Sequence, residues 1–177
     1  LHLLDIFIPK SPPPAVSLTG EAENVRAFPE VGFAAMHTSL SDVSRDTAVL
    51  VRASKFGADS HRHPDQGSFA LFDRGTALIS PSGYFGRQYG TRHHMEWLNS
   101  TRAHNAILID GEGQRMQDVN GIGKILICRD DGDKKTTIVD LSPAYPMLKK
   151  WVRTLVLAEG LLTVTDEVEA DHPVTVT

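Results

Sequence analysis

Cysteine is nearly absent. Cys128 stands alone, so no disulfide can form within the chain and the redox compartment stays open. It follows the apolar run Ile125, Leu126, Ile127 and reads as a buried thiol. Excess positive charge is also missing. Lysine and arginine number 18 against 22 aspartate and glutamate, a formal net charge of -4. That balance excludes a general nucleic-acid binder, which needs a basic surface. It still permits one positive pocket built from clustered histidine and arginine. No apolar run is long enough to span a bilayer. The apolar opening, Leu1 to Ile8, is too short and lacks the basic flank of an export signal. The chain opens on Leu1 rather than Met, which reads as a start within a longer protein. No long segment has a 3.6-residue period, no unit repeats, and the only biased tract is a group of prolines.

What is present is strand patterning in 177 residues, enough for one domain with a core. Pro12, Pro13 and Pro14 cannot sit in a helix or a central strand, so residues 9–20 read as an extended connector. Short apolar or alternating runs follow at 32–38, 47–53, 68–72 and 76–80. They continue at 106–109, 122–128, 136–141, 151–157 and 161–168. Hairpin signals lie between them: Asp73-Arg74-Gly75, Asp130-Asp131-Gly132-Asp133 and Glu159-Gly160. Many short strands with frequent turns favour an all-β antiparallel sandwich or barrel. The stretch from Gly83 to Arg102 breaks the rhythm. It carries Tyr, His, Trp and Arg without a clean strand, and such loops in compact sandwiches are usually functional.

Five of the eight histidines fall between residues 61 and 104: His61, His63, His93, His94 and His104. Tyr84, Tyr89, Arg62, Arg87, Arg92 and Arg102 share the stretch, making one titratable, partly cationic patch. If the chain is extended there, His61 and His63 project to the same side. They could ligate one metal, or divide between a metal and a cavity, or form a solvated loop pair. Imidazole suits zinc, with a carboxylate as a common third ligand. His104-Asn105 precedes an apolar run and is either a site pair or a hydrogen-bonded turn. His93 and His94 are adjacent, so on a strand at most one of them acts. Tyr84 and Tyr89 are catalytic phenols or anchors for the loop. Trp97 either packs beneath the loop or stacks on a sugar. Asp65 and Gln66 are placed to orient a neighbouring imidazole. The His-x-His pair also suggests a cupin. However, Lys55 stands where that motif needs glycine, and Gly86 and Gly90 stand where its later His and Asn belong.

Taken together the segments resemble the heparinase II/III-like polysaccharide lyases. Ser60-His61-Arg62-His63-Pro64-Asp65-Gln66-Gly67-Ser68-Phe69 resembles their H-x-H-x-D-x-x-S-F segment. Ser82-Gly83-Tyr84-Phe85-Gly86 resembles the glycine-tyrosine turn that follows it. Thr101-Arg102-Ala103-His104-Asn105-Ala106, with Asp110-Gly111 and Gln114, resembles their A-H-N segment and D-G-x-x-Q tail. Tyr89 to Trp97 looks most like the oligoalginate lyase branch. The motifs cover residues 60–114, and compatible strand patterning extends over 30–177.

The resemblance implies an α/α toroid followed by an antiparallel β-sandwich (a supersandwich), with substrate in the cleft between them. Residues 1–20 would then be the connector from an upstream helical domain. Residues 21–177 would be the sandwich, cut short at its C-terminus. The implied activity is β-elimination on a uronic-acid polysaccharide or oligosaccharide, alginate-like or glycosaminoglycan, in the periplasm or outside the cell. His61 would reach the substrate carboxylate, with Tyr84 or Tyr89 as an auxiliary catalytic phenol. Arg62, Arg92, His93, His94, Arg102 and Asn105 would grip the substrate. His63 and His104 match histidines that bind a structural zinc in several relatives. The third zinc ligand there is an aspartate at the end of the strand after the hairpin, where this chain has Ser80-Pro81-Ser82. No nucleic acid and no membrane span is expected. The alternatives are a non-catalytic sandwich that binds acidic sugars and, less favoured, a cupin-like metal enzyme.

Overall fold

The computed structural model describes residues 23–81 and 89–177. The expected connector at 1–20, and Tyr84 with Arg87, lie outside the described residues. Among the described residues, two antiparallel sheets form the molecule. One runs β1 (Val25–Phe28), β2 (Phe33–His37), β3 (Thr47–Arg52), β4 (Phe69–Asp73) and β5 (Thr76–Ile79), adjacent in that order. The other runs β6 (Lys124–Asp130), β7 (Lys134–Asp140), β8 (Leu148–Ala158) and β9 (Leu161–Ala170), again in chain order. This is the all-β antiparallel sandwich, one of the two architectures the patterning favours and the one the resemblance implies.

Local chemistry fixes the hairpins. Arg74-Gly75 joins β4 to β5 with φ of 48° and 77°, and Glu159-Gly160 joins β8 to β9 with φ of 52° and 74°. Positive φ at both turn residues matches the right-handed twist of the flanking strands. Period-two alternation then sends one face of each sheet inward. Ala34 and Met36 of β2, Val49 and Val51 of β3, and Leu155 and Leu157 of β8 are fully buried together. Each large aliphatic side chain buried this way contributes about 1.5–3 kcal/mol. A second core, with Ile107, Ile109, Leu141, Tyr145 and Trp151, lies under the loops at one end of the sandwich.

Two strand assignments differ from expectation. Val25–Phe28 is a strand that the sequence pattern did not single out. The run 106–109 is not a strand. Ile107 and Ile109 do point into the core, but the main chain makes only isolated pairings, with residues 175–177 and with Glu112. Leu108 and Thr177 exchange hydrogen bonds of 2.7 and 3.0 Å, and Ile109 makes single bridges to Glu112 and Val176. The Asp110-Gly111 turn, with φ of 52° and 82°, bends the chain away before a ladder can form. The stretch after Tyr89 is not wholly irregular either. It holds one π-helical turn, His94–Leu98, and one 3-10 turn, Thr101–Ala103.

One inward position of β8 carries a charge. Arg153 follows Trp151 and precedes Leu155 on the buried row, and it is only 4% exposed. Its register partner on β9 is Asp166, on the same inward row as Val164 and Val168. Nε and Nη2 donate to the two carboxylate oxygens at 2.8 Å each. Nη1 donates to the carbonyls of Gly67 and Asn105, also at 2.8 Å. The guanidinium lies 5.3 Å from the Trp151 ring centre, and Trp151 Nε1 donates to Asp166 at 2.7 Å. Removing one partner of a buried, hydrogen-bonded ion pair costs about 3–5 kcal/mol. Arg153→Ala is expected to lower stability by that amount, read as a shift in the midpoint of urea unfolding; a midpoint within error of wild type would contradict this.

Candidate functional site

Two loops at one end of the sandwich carry the sequence motifs, and amide side chains hold them where strands would otherwise pair. Asn105 is paired with the main chain of Phe69: its Oδ1 accepts from the Phe69 N–H at 2.9 Å and its Nδ2 donates to the Phe69 carbonyl at 2.8 Å. Gln114 does the same to Gln66, with both bonds at 2.8 Å. Thr101 Oγ1 donates to the Pro64 carbonyl and accepts from the Gln114 N–H, each at 2.9 Å. Gly67 passes between them with φ +78°, and a Cβ there would lie 2.4 Å from a Leu141 methyl. The sequence placed Asn105 against substrate, but its amide is committed to the scaffold. Gln66 is likewise no partner of an imidazole. It is 1% exposed, takes a hydrogen bond from Ser54 N–H, and turns its amino group to the carbonyls of Ser54, Phe56 and Gly121.

His63 and His104 come together. Their Nδ1 and Nε2 atoms are 3.4 Å apart and the rings meet edge to face. Burial holds the His104 imidazole down at about 4, helped by repulsion from His63 and Arg52, while a main-chain contact with Leu98 opposes. The same causes, burial first and then Arg52 and His94, lower His63. Both rings are therefore neutral at neutral pH. Arg52 donates to the His63 carbonyl at 3.1 Å and is ion-paired with Asp65. Burial and the nearby Arg62 lower the Arg52 guanidinium to about 10, so it stays charged. Asp65 thus reaches the imidazole loop through Arg52.

This donor set does not fit zinc. A structural site needs four protein ligands and a catalytic one usually three. Among the described residues no third His, Cys, Asp or Glu joins the imidazole pair. Ser80 is exposed at the position where zinc-binding relatives are expected to carry aspartate, and Asp65 is spent on Arg52.

His61 takes a different direction from His63. The chain is not extended there: it turns at 59–62, where Arg62 N–H donates to the Asp59 carbonyl at 3.1 Å, and His63 meets His104 while His61 does not. His61 lines a cavity of about 400 Å³ with Ser60, Tyr89, His94, Asn99 and Gln117. The Tyr89 ring lies 5.2 Å from that of His94, and His94 Nδ1 accepts from the Gly90 N–H at 3.2 Å. His94 is buried and His93 exposed, so one member of that pair reaches the cavity. Trp97 does not pack under the loop; it is 43% exposed, and Leu98 fills that place.

Among the described residues, the arginines of the expected cationic patch turn to other partners. Arg62 pairs with Asp59 at 3.4 Å and lies over the Phe56 ring. Arg92 pairs with Glu96 at 2.7 Å along the π-helical turn. Arg102 donates to the Gly111 carbonyl at 2.9 Å. None of the three lines the cavity. Sequence reasoning had passed over Ser60, Asn99 and Gln117 as site residues. The one sign they left was position, inside or beside the motif stretch.

The heparinase II/III-like, C-terminal family matches residues 20–177. The chain belongs to that family. Comparison with curated proteins finds no match. Solved structures similar to it include a heparinase III, at 20% identity and a TM-score of 0.68, over 82% of this chain and 22% of that one. The heparan sulfate lyase HepC from Pedobacter heparinus gives 20% identity and a TM-score of 0.68, over 84% and 22%. The heparinase-like chain therefore spans about a fifth of the length of these structures, and they share its fold. Among the described residues no helix is long and apolar enough to cross a membrane.

The neutral His104 ties stability to pH. Its value in the folded state lies below the ordinary 6.5 of an exposed imidazole. Its contribution is whole above that value. On acidification toward 4 the unfolded chain takes a proton that the folded chain refuses, so stability falls. Thermal unfolding followed from pH 7 to 4 is expected to slope less in His104→Gln than in wild type. Parallel slopes would show that His104 is not the group responsible.

Proposed function

We propose that this chain forms the sandwich wall of the active cleft in a polysaccharide lyase that cleaves uronic-acid chains by β-elimination. The carrying observation is the convergence of His61, Tyr89 and His94 on one cavity. Membership of the heparinase II/III-like family supports the reaction class.

The chemistry asks for these residue types. The C5 proton of a uronate is weakly acidic because its neighbouring carboxylate is already negative. Hydrogen-bond donors aimed at that carboxylate make the developing enolate tolerable. A base removes the C5 proton, the C4–O bond breaks, and an acid returns a proton to the departing oxygen. The product carries a C4–C5 double bond. In this reading His61 donates to the carboxylate and the Tyr89 phenol assists proton transfer. His93 at the exposed rim, with Arg62, Arg92 and Arg102, sits outside the cavity and can act only on parts of a long substrate beyond it. An upstream α/α toroid supplies the opposite wall and the principal base and acid. Substrates are alginate-like oligouronides or glycosaminoglycans, met in the periplasm or outside the cell.

The test uses the full-length protein with oligouronides and follows the ultraviolet absorbance of the unsaturated product. His61→Ala is expected to lower kcat about 10²-fold or more, with KM little changed. A rise in KM alone would favour a sandwich that only binds acidic sugars. No absorbance change with alginate, chondroitin or heparan-type substrates would remove the lyase reading.

A further inference from the structure

We infer that His94 is a positioning residue, which holds the Tyr89 ring at the cavity and neither grips substrate nor moves a proton itself. The inference rests on the lyase reading for the part played by Tyr89. Its own ground is the way the chain from Tyr89 to Asn99 is closed around one imidazole.

Two main-chain tethers fix His94. Its N–H donates to Thr91 Oγ1 at 3.2 Å, and its carbonyl accepts from Asn99 N–H at 3.0 Å. The second bond spans five residues and closes the π-helical turn, while Met95 N–H still reaches back four residues to the Thr91 carbonyl at 3.0 Å. At 3.6 residues per turn, two residues five apart would point about 140° away from each other. Closure at five brings His94 and Asn99 to the same cavity. Such single π turns inside helices are frequent at functional sites.

The third tether is made by the ring and selects its tautomer. Gly90 N–H donates to His94 Nδ1 at 3.2 Å. A main-chain N–H can only donate, so Nδ1 is the lone-pair nitrogen and Nε2 carries the proton of the neutral ring. One nitrogen is therefore spent on the loop and the other is already protonated. The neutral ring keeps no lone pair with which to take a proton from a sugar. It is also only 6% exposed, which leaves little of it for a substrate to reach.

What the ring does offer is its face. Tyr89 lies against it at 5.2 Å, tilted by 39°, inside the roughly 4.5–7 Å separation of aromatic pairs. Tyr89 is 83% exposed, so few packing contacts are available to fix its ring. The Gly90 N–H belongs to the peptide that joins Tyr89 to Gly90. His94 thus holds Tyr89 at two places, the ring by its face and the adjoining main chain by Nδ1. Misplacing a reacting group by about 1 Å can cost about 10²-fold in rate.

The experiment uses the full-length protein with oligouronides. His94→Phe keeps a ring and loses the acceptor, while His94→Asn keeps an acceptor and loses the ring. Each is expected to lower kcat about tenfold with KM little changed. In a Tyr89→Phe background the same substitutions are expected to change kcat by less than about twofold, because the hydroxyl they aim is gone. A merely structural role would lower kcat equally in both backgrounds, and that result overturns the inference. So does a kcat that neither variant moves, or a rise in KM alone, which would mean a grip on substrate. NMR of the protein labelled with nitrogen-15 histidine reads the tautomer without turnover, His94 being the signal missing from either variant. A lone pair on Nδ1 is expected, and a proton there overturns the inference. The same spectrum separates the two ideas. A lone pair on Nδ1 without product from any substrate would sink the reaction and keep the hold on Tyr89. Product formed by a protein whose Nδ1 carries the proton would sink the hold and keep the reaction.

Discussion

Arg153 occupies a position where the strand pattern calls for an apolar side chain, and the four hydrogen bonds of its guanidinium leave in two directions. Two go sideways to Asp166 on the neighbouring strand. Two go up, to the carbonyls of Gly67 and Asn105. The first pair fixes the cation and supplies the charge that burial demands. The second pair ties the His61–His63 loop and the His104 segment to the same rigid point on β8. Neither loop has a strand ladder to hold it there. A planar fork can satisfy a carboxylate and two carbonyls at once, which an ammonium on a flexible stem cannot do with the same geometry.

With that point fixed, the rest of the site follows from polar groups consuming one another. Asn105 and Gln114 each cap one residue's main chain in place of a partner strand. Arg52 is held by Asp65, and burial, helped by the Arg52 charge, keeps the two imidazoles neutral. Arg62 and Arg92 find carboxylates close in sequence. The outcome is a stiff wall with little net charge at the cavity. A wall of that kind is suited to holding a ring in place while groups on the opposing side move protons.

Much of this was legible in the order of residues. Alternation located eight of the nine strands, and the turn residues located the hairpins, because both depend on neighbours one or two positions away. β1 escaped because its four residues carry Arg26 between Val25 and Ala27, too short a run to alternate clearly. The run 106–109 misled because buried isoleucines look alike whether their main chain pairs in a ladder or with a chain end far away in sequence. The histidine motifs drew attention to the right loops. They did not say which imidazole faces the cavity, since that depends on the turn at 59–62 and on the meeting of His63 with His104 from a distant segment. Nor could clustering in sequence reveal that the arginines are spent on nearby acids. Arg153 and Asp166 could have been found: each is the lone charge in a period-two apolar row, and a charge in such a row needs a buried partner.

The departures from sandwich rules are not spread evenly. Arginine in an inward row, amide side chains doing the work of strands, and two left-handed residues unexplained by hairpins all gather at one end of the molecule. Folds tolerate such departures where something other than stability selects the arrangement. A sandwich built only to be stable would have leucine in place of Arg153, since a well-packed apolar side chain generally matches or exceeds a buried ion pair. It would also have glycine at positions 60 and 117, where left-handed φ costs glycine nothing. Serine and glutamine stand there instead, and both side chains line the cavity. The two left-handed residues at the cavity are thus a ground for the proposed site that does not depend on family membership.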